Sequence, residues 1–321
     1  MISVVLPVFN GERTLGSCLA CLFASDYSDF EVIVIDDHST DNSGALARLL
    51  PCRLIELPQN LGAAAARNAG AAVAVGSILF FLDADILVRP HSLGRVAALF
   101  AERAELAALF GSFEAETIST DFFSQYKNLL HHYTHQTSRA EATTFASGFG
   151  AVRAKVFAEL NGFDPKQRFL EDVELGYRMH AAGHRVLLDK QLQMTHCKRY
   201  TLASLVRSDF YGRAIPWTTL MLEKRVYNND MNTRITNVLS VPISALLLAS
   251  PLAVRFHWIG IMSLLLIVLL IVLNGRFLAF LFNRRGTRFA LGALAMTWLT
   301  YLYSGLGVLV AGVTFGRRRA V

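Results

Sequence analysis

The last third of this 321-residue chain contains almost no acidic side chains. Residues 223–321 hold only Glu223 and Asp230 as acids but eleven Lys and Arg, whereas residues 1–222 hold 23 acids and 20 bases. The net charge of +6 therefore comes from the C-terminal third, and it gives no reason to expect nucleic acid as a partner. A basic and very apolar segment is typical of a membrane anchor.

The chain also lacks the glycine-rich loops of the common nucleotide-binding folds. No Gly-x-Gly-x-x-Gly follows the first predicted strand and no Walker A loop is present, which disfavours dinucleotide enzymes and P-loop ATPases. Cysteine is scarce, and the four residues are Cys18, Cys21, Cys52 and Cys197. Cys18 and Cys21 have the spacing of a redox or zinc half-site, but no second pair completes it, so we interpret them as thiols on an apolar helix face.

Long uncharged runs occupy the basic third of the chain. They cover residues 237–254, 256–273 and 289–315, and a membrane span needs about 20 apolar residues. We therefore expect residues 223–321 to form a membrane anchor with two to three transmembrane helices. Residues 276–288 mix aromatic and basic side chains, which is typical of an interfacial segment on anionic lipid headgroups.

The number of spans decides which basic loop lies inside the cell. Three spans would place the arginines near residue 285 inside, as the positive-inside rule asks, and those near residue 318 outside. If the first run, which contains Pro242 and Pro251, lies only in the interface, the two loops exchange sides. The chain opens on a strand pattern without a basic and apolar leader, so we expect residues 1–222 to be cytoplasmic and the protein to be a multi-pass protein of the cell (inner) membrane.

Strand and helix patterns alternate through the first 222 residues. Apolar, β-branched runs at residues 2–8, 31–35 and 78–82 predict buried strands, and helical patterns at residues 12–23 and 61–75 lie between them. This alternation predicts an α/β fold with a doubly wound, mostly parallel sheet.

Two aspartates, Asp83 and Asp85, directly follow the strand predicted at residues 78–82. They would lie at the carboxyl edge of the sheet, where open α/β sheets bind ligands. Two carboxylates so close together repel each other unless a cation neutralises them. Since Mg²⁺ is commonly bound by carboxylate and phosphate oxygens together, the pair predicts a metal ion that holds a phosphorylated substrate.

Polar residues follow the other predicted strands in the same way. Asn10 follows the first strand, Asp36 and Asp37 follow the second, and Asn60 and Arg67 flank the start of an Ala-rich helix. A carboxylate after the second strand suits a ribose hydroxyl or a base N–H. The planar guanidinium of Arg67 suits phosphate oxygens.

Together these segments resemble glycosyltransferase family 2 over about residues 1–215. The resemblance is carried, in this order, by residues 5–10, 34–41, 60–62 with 66–68, 82–85, 148–153 with 156–157 and 162–164, and 171–178. One departure is His38, where the family often has glycine. The position is a turn, and histidine tolerates the left-handed backbone region better than bulky residues do.

The resemblance implies a GT-A fold, a nucleotide-diphosphate sugar donor and an inverting displacement at the anomeric carbon. It implies that Asp172 is the base for the acceptor hydroxyl, with Glu171 orienting it or binding the acceptor. An N-cap carboxylate is the alternative for Asp172. Mg²⁺ or Mn²⁺ would be bound by Asp83, Asp85 and His196, although a structural role for His196 is equally open.

The predicted donor contacts extend over the whole carboxyl edge of the sheet. They are Pro7, Val8, Asn10, Asp36, Asp37, Asn60, Arg67, Asp83, Lys198 and Arg199. For Lys198 and Arg199, a solvated pair or a pair that faces lipid headgroups is an equally open interpretation.

The anchor favours a lipid or a lipid-linked glycan as the acceptor, because confinement to one surface raises its effective concentration. Synthesis of a cell-envelope polysaccharide is a process of this kind. Two other functions stay open. A sugar-1-phosphate nucleotidyltransferase should begin with a Gly-rich basic loop, which residues 7–11 are not, and a non-catalytic nucleotide-sugar-binding or scaffolding subunit should have lost Asp85 or Asp172.

Overall fold

The computed structural model describes residues 1–227, 229, 231–250 and 258–319. The chain divides into two compact units, one formed by Met1–Thr120 with His135–Arg199 and the other by Asp121–Thr134 with Tyr200–Val321. The functional boundary that the sequence suggests at residue 222 stays a prediction, since the change of unit comes earlier, after Arg199.

Strands and helices alternate along the first unit, as the sequence pattern predicts. They are β1 (Ile2–Val8), α1 (Glu12–Phe23), β2 (Phe30–Asp36), α2 (Ser43–Arg48), β3 (Arg53–Glu56), α3 (Ala63–Val73), β4 (Ile78–Leu82), β5 (Ile86–Leu87), α4 (Ser92–Glu102), β6 (Leu106–Phe113), β7 (Glu141–Ala142), β8 (Phe149–Arg153), α6 (Ala154–Glu159), α7 (Glu171–Ala181) and β9 (Arg185–His196). Between β6 and β7 the chain forms α5 (Phe122–Thr137), most of which belongs to the second unit.

The nine strands form one mixed sheet of order β3–β2–β1–β4–β8–β6–β9–β5, with β7 paired to β9. The neighbours β3, β2, β1 and β4 are parallel, which confirms the predicted α/β sheet. In contrast, β8 runs antiparallel to both β4 and β6. An apolar strand pattern reports burial but not direction, so this reversal could not be predicted from the pattern.

Helices cover both faces of the parallel strands, because alternate side chains of each strand point to opposite faces. Val4 and Leu6 of β1 pack in one core cluster with Leu15 and Leu19 of α1. On the other face, α3 lies directly on β1 and β2. The carboxyl ends of β1, β2 and β4 therefore lie at one edge of a rigid layer, and the polar segments that follow them meet there.

The second unit is helical. It contains most of α5, followed by α8 (Leu202–Asp209), a π-helical turn (Phe210–Ala214), α9 (Ile215–Lys224), a short 3-10 turn (Met231–Thr233), α10 (Ile235–Ala249) and α11 (Ile259–Arg319). By length and composition, α11 is able to cross a membrane. Its backbone is not helical at Gly286, where φ is 79°.

Gly286 turns α11 into a hairpin of two arms, residues 259–285 and 287–319. The Oη of Tyr301 lies 2.7 Å from Oδ1 of Asn274, 27 positions earlier in the chain. A continuous helix would separate these residues by about 40 Å, so the chain must fold back between them. The positive φ at the turn is one that glycine adopts without strain.

The first arm of α11 runs antiparallel to α10. Near the start of α10, Ser240 Oγ lies 3.2 Å from Nδ2 of Asn274, and just beyond its end Ser250 Oγ lies 2.9 Å from Oγ of Ser263. Residue numbers increase along α10 while those of its contacts on the first arm decrease. The start of α10 and the turn at Gly286 are therefore at the same end of the bundle.

Residues 276–288 form the end of the first arm and the turn itself. Phe277 and Phe280 pack against the ring of Tyr133 of α5, with centroid distances of 5.1 and 5.4 Å. The guanidinium of Arg284 lies 5.4 Å from the ring centre of Phe280. The segment is thus helical and packed on α5, and the predicted contact with lipid headgroups stays a prediction.

The close approach of α3 to the sheet depends on Gly70. A Cβ at this position would lie 2.5 Å from Cδ1 of Ile35 and 2.6 Å from Cγ1 of Val5. At Gly16 of α1, by contrast, a Cβ would meet nothing within 4 Å.

We expect Gly70→Ala to lower the free energy of unfolding by about 1–3 kcal/mol, because the added methyl group overpacks the interface between helix and sheet. The matched change Gly16→Ala should raise it by about 0.5–1 kcal/mol through helix propensity alone. Denaturant unfolding of both detergent-purified variants measures the difference. Equal stability of the two variants would contradict the packing that we describe.

Candidate active site

The segments after β1 and β2 are joined to each other by hydrogen bonds. The side-chain Oδ1 of Asn10 accepts from the backbone N–H of Thr40 at 2.8 Å, and Oγ of Ser39 accepts from the N–H of Asn10 at 2.9 Å. Asn10 and His38 both have left-handed backbones, with φ of 52° and 65°. The expectation that His38 occupies a turn of this kind is confirmed.

The two carboxylates at the end of β2, Asp36 and Asp37, have different partners, although both are buried. Asp37 accepts from the backbone N–H groups of Leu61 and Gly62 at 2.7 and 2.8 Å, so it holds the loop that leads into α3. Asp36 accepts from the N–H of Ser39 at 2.9 Å through Oδ1. Both oxygens of Asp37 therefore bind this loop, while Oδ1 of Asp36 binds the turn that directly follows its own strand.

Arg67 of α3 connects two acidic segments that are far apart in the sequence. Its Nη2 lies 2.6 Å from Oδ1 of Asp83, and its Nη1 lies 2.5 Å from Oε1 of Glu171 at the start of α7. The arginine is only 4% exposed, and its Nε has no hydrogen-bond partner among the described residues. The guanidinium is thus bound to two carboxylates rather than directed to solvent.

Charge and burial act together on this group. Burial alone would lower the pKa of Arg67, but the charges of Asp83 and Glu171 outweigh it, so the pKa is raised and the guanidinium stays protonated. Burial raises the pKa of Glu171, and the nearby charge of Asp172 adds to the rise, while Arg67 opposes it. One guanidinium therefore faces three acids.

Asp172 lies in the first turn of α7, which carries Glu171, Asp172 and Glu174. Acidic side chains are stabilised there by the helix dipole. Its Oδ2 accepts from the backbone N–H of Ser147 at 3.0 Å, and its Oδ1 accepts from the N–H of Val173 at 2.8 Å. Two backbone donors therefore fix the carboxylate that the family resemblance suggests as the base.

Gly148, the next residue after Ser147, contacts the acidic segment after β4. Its carbonyl oxygen accepts from the N–H of Asp83 at 2.9 Å. A Cβ on Gly148 would lie 2.7 Å from Oδ2 of Asp83, so a side chain has no room there. Gly148 belongs to a stretch that carries the family resemblance, but the sequence did not predict the contacts of Ser147 and Gly148. The available signal was the run of small residues just before β8.

Asp85 lies beside His196 at the end of β9. The Nε2 of His196 is 3.3 Å from Oδ2 of Asp85, and the N–H of Cys197 donates to the carbonyl of Asp85 at 2.8 Å. Burial alone would raise the pKa of Asp85, but His196 and the charge of Lys198 outweigh it and lower the pKa. The structure thus brings together two of the three predicted metal ligands.

Asp83, the third predicted ligand, has one oxygen paired with Arg67. In the part of the chain that the structure describes, no three His, Cys, Asp or Glu side chains form a group that could hold a metal ion. The side chains of Asp85 and His196 nevertheless suit a divalent cation, because they bring a carboxylate oxygen and an imidazole nitrogen together in an acid-rich region. Mg²⁺ is usually bound by only one or two carboxylates and completes its shell with substrate phosphates and water.

The remaining predicted donor contacts lie along the same edge or just beyond it. Pro7 and Val8 are the last residues of β1, and Val8 pairs with Asp36 in the sheet. Asn60 is exposed, with Nδ2 3.3 Å from the carbonyl of Asp37. Lys198 and Arg199 are exposed after β9. Their contacts with a donor stay predictions.

Comparison with known proteins agrees with this architecture. Residues 3–160 match the family model described as glycosyl transferase family 2. An uncharacterized glycosyltransferase of Haemophilus influenzae is 24% identical over 215 residues, which cover 65% of this chain and 72% of that protein. An uncharacterized glycosyltransferase of Nostoc sp. is 38% identical over 104 residues, covering 31% and 32%, and glycosyltransferase GlyG of Streptococcus pneumoniae is 33% identical over 98 residues, covering 29% and 33%. The chain thus aligns with about a third of the length of the last two relatives.

Solved structures share the fold at low sequence identity. The mannosyltransferase PcManGT from Pyrobaculum calidifontis, in complex with GDP-Man and Mn²⁺, has a TM-score of 0.56 and 16% identity, covering 98% of this chain and 86% of that one. S. aureus TarS 1–349, in complex with UDP-GlcNAc, has a TM-score of 0.53 and 14% identity, covering 98% and 91%.

These likenesses confirm the predicted GT-A fold. The family match identifies the segment of residues 3–160 as a glycosyltransferase family 2 domain.

Proposed function

We propose that this protein is an inverting glycosyltransferase that moves a sugar from a nucleotide-diphosphate sugar to a lipid or lipid-linked glycan acceptor. The reaction would take place at the cytoplasmic face of the cell membrane. The observation that carries the proposal is the Arg67 bridge, since one guanidinium contacts both the acidic segment after β4 and the start of α7. This bridge supports the proposal, because it connects the segment predicted to bind the donor with the turn that carries the predicted base.

The chemistry needs a base, and Asp172 is the candidate. It would take the proton of the acceptor hydroxyl while the acceptor oxygen attacks the anomeric carbon and the bond from that carbon to the diphosphate breaks. The products are the glycosylated acceptor and a nucleoside diphosphate. The backbone N–H groups of Ser147 and Val173 support the role, because they hold the carboxylate in place without protonating it.

The leaving diphosphate carries charge that the site must neutralise. Asp85 and His196 would bind Mg²⁺ or Mn²⁺, with Asp83 as the third predicted ligand, and the ion would act there as a Lewis acid toward the phosphate oxygens. The charge of Lys198 helps to lower the pKa of Asp85, so this lysine lies near the proposed cation site, which supports a phosphate contact for it. The Mn²⁺ in the PcManGT complex agrees with this assignment.

The membrane part of the proposal rests on the second unit. Exposed apolar side chains cover the arms of α11 away from its turn, for example Leu264, Leu265, Val308 and Leu309. Because the start of α10 and the turn at Gly286 are at the same end of the bundle, we propose three membrane crossings with the arginines of the turn on the cytoplasmic side. A lipid-bound acceptor would then diffuse in the same surface as the enzyme.

Asp172→Asn tests the proposed base. We expect transfer and hydrolysis of the sugar donor to fall by about 10²–10⁴-fold, while donor affinity stays close to that of the wild type, because the amide keeps the shape but takes no proton. Donor hydrolysis and isothermal titration with UDP-N-acetylglucosamine and GDP-mannose measure both quantities. Asp29→Asn, an exposed acid at the opposite end of β2, is the matched control.

Turnover that is unchanged in Asp172→Asn would remove Asp172 as the base. A wild-type protein that binds donor but neither hydrolyses nor transfers it would favour the non-catalytic binding subunit.

His196→Ala tests the proposed cation site. We expect the Kd for Mn²⁺ to rise at least about tenfold, because an imidazole ligand is lost. Titration of the donor-free protein with MnCl₂ measures this. The control is His184→Ala, whose ring faces Glu159 at 3.4 Å and not Asp85. The same Mn²⁺ affinity in both variants would refute the assignment.

Single cysteines test the proposed topology. An impermeant maleimide should label Trp258→Cys in intact cells but should label Thr287→Cys, next to Gly286, only after the cells are permeabilised. Unmodified protein in intact cells sets the background, since its cysteines lie in the cytoplasmic unit in this proposal. Labelling of Thr287→Cys in intact cells would reverse the orientation.

A further inference from the structure

Asp83 and the start of α7 are connected twice, by two independent sets of contacts. One connection is the side chain of Arg67, which reaches Asp83 and Glu171 at 2.6 and 2.5 Å. The other runs through the backbone of Ser147 and Gly148. The two connections close a ring of contacts that passes through Asp83, Arg67, Glu171, Asp172 and the backbone from the N–H of Ser147 to the carbonyl of Gly148.

We propose that Arg67 is a positioning residue, which holds the Glu171–Asp172 turn of α7 against Asp83 and so fixes the proposed base relative to the donor side. The side chain of Arg67 is one half of this ring, and the backbone of residues 147–148 is the other half. The inference rests on the proposed function for its catalytic consequence, but the ring itself is a structural feature that can be tested without a donor.

The side-chain half of the ring needs an arginine. A guanidinium presents its two Nη groups in a fixed plane, so it can contact two carboxylates on different elements at the same time. A lysine carries an equal charge but only one nitrogen on a flexible stem. Because Nε of Arg67 has no partner among the described residues, the two Nη contacts are the hydrogen bonds that hold this guanidinium.

The backbone half of the ring is equally constrained. The N–H of Asp83 donates to the carbonyl of Gly148, and the N–H of Ser147 donates to Asp172. Gly176 brings α7 close to this segment, because a Cβ there would lie 2.3 Å from the backbone N of Phe145. The segment before β8 therefore lies between Asp83 and α7 in van der Waals contact.

The electrostatics explain why both halves are present. Asp83, Glu171 and Asp172 repel one another, and a single buried guanidinium does not neutralise three charges. If Arg67 is replaced by a group that binds only one of the acids, the repulsion acts to move α7 away from the end of β4. The backbone half alone then resists that movement.

Arg67→Lys is the direct test. In hydrolysis of UDP-N-acetylglucosamine or GDP-mannose with MnCl₂, we expect kcat to fall by about 100-fold, because a small displacement of a base costs this much. KM for the donor should change by less than about threefold, since donor contacts would be kept. Glu171→Gln, which leaves the Arg67–Asp83 pair in place, should show the same separation of kcat from KM. Arg48→Lys, which alters the exposed pair of Arg48 with Glu56, is the control and should match the wild type.

Two results would overturn the positioning role. A higher KM with unchanged kcat in Arg67→Lys would make the residue a donor ligand, as its sequence context first suggests. Unchanged kcat and KM with a lower melting temperature would make it a stabilising residue only.

A double-mutant cycle tests the ring without any donor. Arg67→Lys and Ser147→Pro, which removes the N–H that donates to Asp172, each open one half and keep all three acids, so their combination should lower the melting temperature by more than the sum of the single changes. Additive effects would refute the ring. If the wild type hydrolyses no nucleotide sugar, the proposed function fails, and the ring is then judged by this cycle alone.

Discussion

A buried arginine between two carboxylates is the interaction on which the candidate site depends. An ionised side chain is excluded from a protein interior unless partners compensate for its lost hydration. Arg67 meets this condition only because α3 lies close to the sheet, which in turn requires glycine at position 70. The close packing of α3 on the sheet therefore places the guanidinium that holds Asp83 and Glu171 together.

The site as a whole carries more negative than positive charge. Asp83, Glu171 and Asp172 lie near Arg67, whereas Asp85 lies near His196 and Lys198. An arrangement of this kind is unfavourable by itself and becomes favourable when a cation enters. In the reaction that we propose, the cation would bind to these carboxylates, and the diphosphate would then bind to the cation.

The sequence predicted local structure well where burial sets a strong pattern. The bounds of β1, α1 and β4 match the expected ones, because each is a mainly apolar strand or an amphipathic helix with clear ends. The order of the polar loops along the sheet edge followed from the same alternation. Asp85 and His196 were expected to meet, and they do.

Long-range pairing could not be read in the same way. Arg67 suited phosphate by its chemistry alone, but its partner Glu171 is 104 positions away, and no local pattern reports such a contact. The role of Ser147 depends on its backbone N–H, which every residue except proline has. The reversal of α11 lies in the basic stretch where a loop between the second and third apolar runs was expected, but no local pattern marked Gly286 as the turn.

The position of α5 has a consequence for biosynthesis. Its buried side chains find their partners late in the chain: Lys127 contacts Asp209, 82 positions later, and Tyr126 contacts Thr297, 171 positions later. At about 5–20 residues per second, a ribosome needs roughly ten to thirty seconds to synthesise the chain from Tyr126 to Thr297. During that interval these side chains of α5 lack their final contacts, so a chaperone or the bilayer surface would have to cover them.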